Sequence, residues 1–146
     1  MTMQPPSLID LIARKQAVLP QSITEIDSVN LASSLAEIAK LFFKPRSCFS
    51  NSFNLTEMGA DCDVVVGYVY LPEFDITIEH AWNADATGHF DLTAQLFWDG
   101  ALEQNKYAQL VRLDNDEARY LIAEFGGVDT TALRCAPEYR HLFGKQ

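Results

Sequence analysis

The stretch VVVGYVYL, residues 64–71, followed after Pro72 and Glu73 by FDITIEHAW, residues 74–82, decides the fold. The first run is dense in β-branched and aromatic residues. The second sets Phe74, Ile76, Ile78, His80 and Trp82 at every other position, so both read as strands. Pro72 and Glu73 between them predict the turn of an antiparallel hairpin. The alternation puts His80 on the apolar side, toward the layer where a helix packs.

Working outward, a third strand over residues 89–91 follows Gly88, and YAQLVRL, residues 107–113, makes a fourth. Asp114 or Asn115 then caps a helix that runs through Phe125 and ends at Gly126 and Gly127, while residues 128–146 carry no clear period. On the other side, residues 48–58 form a helix with Phe49 and Phe53 turned inward, Ser47 as N-cap and Gly59 as terminator. The longest helical period lies before it, over residues 28–43, from Asp27 or Ser28 to the stop at Pro45. A short helix with Leu8, Ile9, Leu11 and Ile12 on one side follows Pro5 and Pro6 and is closed off by Pro20. Helices, then a meander of strands, then a helix make an α+β fold, with a Cys-bearing helix packed on a small antiparallel sheet. The 146 residues, 48% of them apolar, fit a single domain spanning 1–146.

Lys and Arg number 11 against 20 Asp and Glu, a formal charge of −9, so the surface repels phosphate backbones and anionic lipid. That balance argues against nucleic-acid and membrane partners; it serves solubility first, and it also suits a basic partner surface. The N-terminal stretch has no basic segment followed by a long apolar run, so a cytoplasmic location is expected. Cys48, Cys62 and Cys135 are odd in number and contain no Cys-x-x-Cys pair, which argues against a disulfide framework and a zinc site. No metal and no other cofactor is expected, since close ligand pairs and a glycine-rich phosphate loop are both missing from the sequence.

Cys48 carries the chemistry. A thiol attacks carbonyls as thiolate, and a helix start, where N–H groups point outward, favours that anion and can also hold an oxyanion. Lys44 and Arg46 add positive charge in the same segment. His80, 32 residues on, supplies an imidazole able to act as base and then acid, and Asp91, 11 residues further, supplies a carboxylate to orient it.

Taken together, CFSNSF, VVVGYVYL, EHAWN and HFDLT resemble the transglutaminase-like division of the papain-like cysteine proteases and acyltransferases. That division has a cysteine at a helix start, a Gly-Tyr strand, a His-Ala-Trp strand and an Asp-x-Thr strand. The resemblance covers residues 47–113, about half of the chain, and is nearest to small bacterial and phage proteins with a Glu-His-Ala-Trp strand. It implies the fold and a triad, with Cys48 as nucleophile, His80 as base and acid, and Asp91 as orienter. Many relatives have Asp-Pro-Thr where this chain has Asp91-Leu92-Thr93.

Further residues are candidates for support. Asn51 is one turn after Cys48, where its amide serves an oxyanion or ties the helix to a neighbouring segment. Trp82 is a wall beside His80, and Tyr68, first of all a core residue, also offers a hydroxyl from the adjacent strand. His89, sharing the face of Asp91, is the rival imidazole; Glu79 is expected in solvent, and Cys62 and Cys135 as idle thiols. Two functions follow. One is a thiol hydrolase or acyltransferase that cleaves, deamidates or transamidates an amide of a protein, peptide or small molecule through a thioester. The other is a non-catalytic acidic binding or immunity-type protein that keeps the fold.

Overall fold

The computed structural model describes residues 7–98 and 104–144. Helix α1 (Leu8–Gln16) begins at Ser7, whose hydroxyl accepts the Asp10 N–H, and stops at Ala17 in the left-handed region. Strands β1 (Thr24–Ile26) and β2 (Val29–Asn30) and helices α2 (Ser33–Ala39) and α3 (Cys48–Glu57) precede the hairpin of β3 (Asp63–Leu71) and β4 (Ile76–Asp85). Strand β5 (Gly88–Phe90), α4 (Leu92–Phe97), β6 (Lys106–Leu113), α5 (Asn115–Phe125) and α6 (Thr130–Cys135) complete the chain with a final 3₁₀ turn, Arg140–Phe143. The six strands form one sheet in the order β1-β6-β3-β4-β5-β2, antiparallel except where β2 runs parallel to β5. The fold is α+β.

The hairpin, the helix at Cys48 and the α5 helix match the sequence reading. Asp114 caps α5 in a full capping box with Glu117, and Gly126 ends it at φ +86°. The long helix expected over residues 28–43 is broken. Val29 and Asn30 pair with His89 and Phe90, and the Ala32 N–H goes to the Gln95 side chain, so sheet pairing takes the first turn and α2 starts at Ser33. Phe74 is not on the strand face but in the turn, 64% exposed. Asp91 falls outside β5: it is the N-cap of α4, a helix that the short run Leu92–Phe97 did not announce.

The two faces of the hairpin are packed differently. Val64, Val66, Tyr68 and Ala81 join the main core under α1, α5 and α6, with Phe49 and Phe53 of α3 against it. Val65, Val69, Trp82, Ala84 and Tyr107 form a second core on the other face. A third cluster joins Ala36 and Ala39 of α2 and Leu55 of α3 to Phe90 and Leu92, which locks β5 and α4 to the helices.

At the centre of the hairpin, Gly67 faces His80, and the β3–β6 register slips between Val66 and Gly67. A Cβ at Gly67 would stand 2.1 Å from the Ala108 carbonyl oxygen, so this position needs a glycine for the backbones to approach. Gly67→Ala should therefore lower unfolding stability by at least about 1–3 kcal/mol, the cost of overpacking a close-packed interior, read as the midpoint shift in urea unfolding.

Candidate active site

The site is assembled where β4 loses a neighbour. Strand β5 pairs only with Asn83, Ala84 and Asp85, so beside His80 the outer edge of β4 is bordered by Asp91 and the start of α4. The α4 start is tied to the first turn of α3 by Asn51 Nδ2, which donates to Thr93 Oγ1 at 3.1 Å. Two helix starts, bearing Cys48 and Asp91, thus meet at one histidine.

His80 Nε2 donates to Asp91 Oδ2 at 2.8 Å, with both side chains almost wholly buried. The Tyr107 hydroxyl donates to the same oxygen at 2.6 Å, and Asp91 Oδ1 accepts the Ala94 N–H at 3.1 Å as a helix cap. Each carboxylate oxygen therefore has a donor, as a buried charge requires. The imidazole lies against Trp98, ring centroids 4.8 Å apart, with Trp82 at 6.2 Å and Tyr107 at 6.5 Å. Burial by itself pulls the His80 pKa down, but the charge and hydrogen bond of Asp91 outweigh it. With a further push from Cys48, the value rises from 6.5 to about 10.

Cys48 opens α3 and is half-buried, with its side chain close enough to the imidazole to help hold the ring's proton. With Nε2 committed to Asp91, Nδ1 is the ring nitrogen left for a second partner. Ser47 precedes the helix as expected yet caps nothing, because its hydroxyl donates back to the Pro45 carbonyl. The first-turn N–H groups of α3 consequently carry no side-chain cap. Arg46, at φ +61°, makes the bend before them; it and Lys44 are exposed and join no ion pair among the described residues.

The Asn51 amide is fully committed. Its nitrogen donates to the Lys44 carbonyl at 2.8 Å and to Thr93, and its oxygen accepts the Lys44 N–H at 3.0 Å. It fastens the segment before Cys48 and has no proton left for an oxyanion. Trp82 walls the site, packed edge-on against Tyr107 with centroids 5.0 Å apart, and donates its indole N–H to His89 Nδ1 at 3.0 Å. His89 is thereby held as a neutral acceptor, its pKa lowered by burial and by Arg112, and makes no bond to Asp91 among the described residues.

Tyr68 takes the core role and not the supporting one, and the expectation for Glu79 is corrected. Tyr68 pairs with Glu79, one residue out of phase with His80, and packs in the main core; among the described residues its hydroxyl bonds neither to His80 nor to Asp91. Glu79 is half-buried and accepts the Thr130 N–H at 2.6 Å, tying β4 to the start of α6. Tyr107 and Trp98 are the members that the sequence reading did not single out. Tyr107 stands in β6 at a strand position like any core aromatic, and only pairing in space brings it under Asp91. Among the described residues no three His, Cys, Asp or Glu side chains converge as metal ligands would, and no helix is long and apolar enough to cross a membrane.

The raised pKa of His80 has a defined sign in stability. A proton held more firmly in the folded chain stabilises it fully below the unfolded value near 6.5, and that gain fades as pH climbs toward about 10. In urea unfolding at pH 6 to 10, the advantage of the parent protein over His80→Gln should be greatest at pH 6 and shrink steadily above. A constant difference across that range would mean that His80 holds no such proton.

The chain matches no protein-family model, no curated protein and no solved structure.

Proposed function

We propose that this protein is a thiol-dependent hydrolase or acyltransferase that attacks an amide carbonyl through Cys48, His80 and Asp91, on a papain-like, transglutaminase-like core. The observation that carries the proposal is the buried His80–Asp91 pair meeting the thiol at an uncapped helix start. A protein that only binds a partner has no physical need of a charged pair in that place, where apolar residues of similar volume are usually at least as stable.

The residues suit the steps in order. Cys48 Sγ forms a bond to the carbonyl carbon, and the electron pair moves to the carbonyl oxygen, which the first-turn N–H groups of α3 can receive. As the oxyanion collapses, the C–N bond breaks and the imidazolium gives its proton to the departing amine, leaving a thioester on Cys48. Water or a second amine then attacks the thioester carbonyl, its proton returns to His80, and sulfur leaves. Asp91 keeps the ring in one orientation and the positive charge compensated, with Tyr107 holding the carboxylate in turn. The setting we propose is the reducing cytoplasm, where three free thiols persist.

Iodoacetamide at pH 6 tests the reading, because only an anionic sulfur reacts quickly there. Cys48 should be alkylated at least about 10-fold faster than Cys135, which is exposed, and than Cys62, whose pKa burial and neighbouring acids push up to about 11. Asp91→Asn should slow Cys48 toward the reference thiols. Equal rates at Cys48 and Cys135, together with model-amide turnover unaffected by Cys48→Ala, would leave the acidic binding protein as the better description.

A further inference from the structure

A groove of about 480 Å³ opens next to the site, lined by Leu71, Glu73, Phe74, Ile78, Trp98 and Asn105. Its volume is in the range of pockets that hold small organic groups, roughly 300–1,000 Å³. Among the described residues that line it, Leu71, Phe74, Ile78 and Trp98 are apolar. Phe74 and its near neighbour Ile76 are 64% and 43% exposed, large apolar side chains in water on a chain of formal charge −9. Their positions follow from the hairpin: Ile78 is two residues before His80 and shares its face, and Phe74 sits in the turn at the same end.

Trp98 is shared by the groove and the site. It packs on His80 at 4.8 Å and also lines the groove, so a group filling the groove lies against the aromatic ring that touches the imidazole. Glu73 and Asn105 are the polar members. We propose that this groove takes an aromatic or large aliphatic side chain of the substrate, so that the amide brought to Cys48 belongs to an apolar segment of a peptide or protein. This rests on the reading of Cys48, His80 and Asp91 as the reacting groups. It adds the substrate class: apolar beside the reacting amide.

The test compares N-benzylchloroacetamide with N-methylchloroacetamide at pH 8.5, where ordinary thiols also react, and follows Cys48 and the exposed Cys135 separately by peptide mass spectrometry. The benzyl reagent should modify Cys48 about 10- to 100-fold faster than the methyl reagent, the span that one apolar pocket gives, with a ratio near one at Cys135. Phe74→Ala and Ile78→Ala should each reduce the Cys48 ratio, with thermal melting of both variants reported alongside to show that they are folded. A ratio near one at Cys48 in the parent protein, or a high ratio unchanged in both variants, overturns the proposal. Because the ratio is read at a pH where activation of the thiol is not needed, it stands or falls separately from the iodoacetamide result at pH 6.

Discussion

The hydrogen bond from His80 to Asp91, 2.8 Å long and out of reach of water, is the constraint around which the rest of the molecule is arranged. A buried carboxylate and imidazolium are tolerated only when each is compensated by charge and by donors. Four elements meet that requirement here: β4 brings the ring, the start of α4 brings the carboxylate and one N–H, β6 brings the Tyr107 hydroxyl, and α3 brings Cys48. The glycine opposite His80 belongs to the same requirement. Without a side chain at Gly67, the β6 backbone comes against β3 at the point where Ala108 lies two residues from the slip in register.

Asn51 and Asp91 play matching parts on the two helices. Each lies in or just before a first turn and uses its side chain to fix backbone: Asp91 takes the Ala94 N–H, and Asn51 holds both the N–H and the carbonyl of Lys44. The bond from Asn51 to Thr93 then joins the two turns. Thiol and carboxylate are in this way placed by side chains that satisfy helix ends, without long-range side-chain reach. The sequence around Asp91 fits that geometry. Leu92 is the first helical residue of α4, a position that makes no demand on the side chain, and the Asp91 cap is intact before it. It also buries an aliphatic side chain against Leu55 of α3.

What could be read from the chain is what local patterning controls. The period of two in residues 74–82 marked His80 as buried, though on the face of Trp82 and not on the one that packs under α1, α5 and α6, and the cap and stop residues delimited α5, because each of these depends on neighbours within a few positions. Residues 28–43 misled for the opposite reason: their helical period is genuine, but two backbone groups of Val29 and Asn30 are claimed by β5, a partner 60 residues away. Asp91 was found by residue type and placed on the wrong element, since Leu92–Phe97 is too short to show a period. Tyr107 and Trp98 had no signal, because an aromatic residue in a strand or at a helix end looks like packing until the pairing of β6 with β3, or the fall of α4 across β4, sets it beside the histidine.

The polar network would be an expensive way to build an ordinary core. Asn, Ser or Thr could cap α4 as well as Asp91 does, phenylalanine would fill the place of Tyr107, and an aliphatic residue at His80 would pack beneath Trp98 without any charge to desolvate. Each replacement alone, however, leaves a buried partner unsatisfied: removing His80 strands a carboxylate, and removing Asp91 strands an imidazolium. Such a set resists stepwise exchange for apolar residues, and its stability is tied to a proton that the ring binds more firmly than free histidine does. A fold that retains it holds an imidazole fixed through one nitrogen, with Cys48 among the groups that influence the ring. The same constraint that makes the core polar also fixes the orientation of the ring.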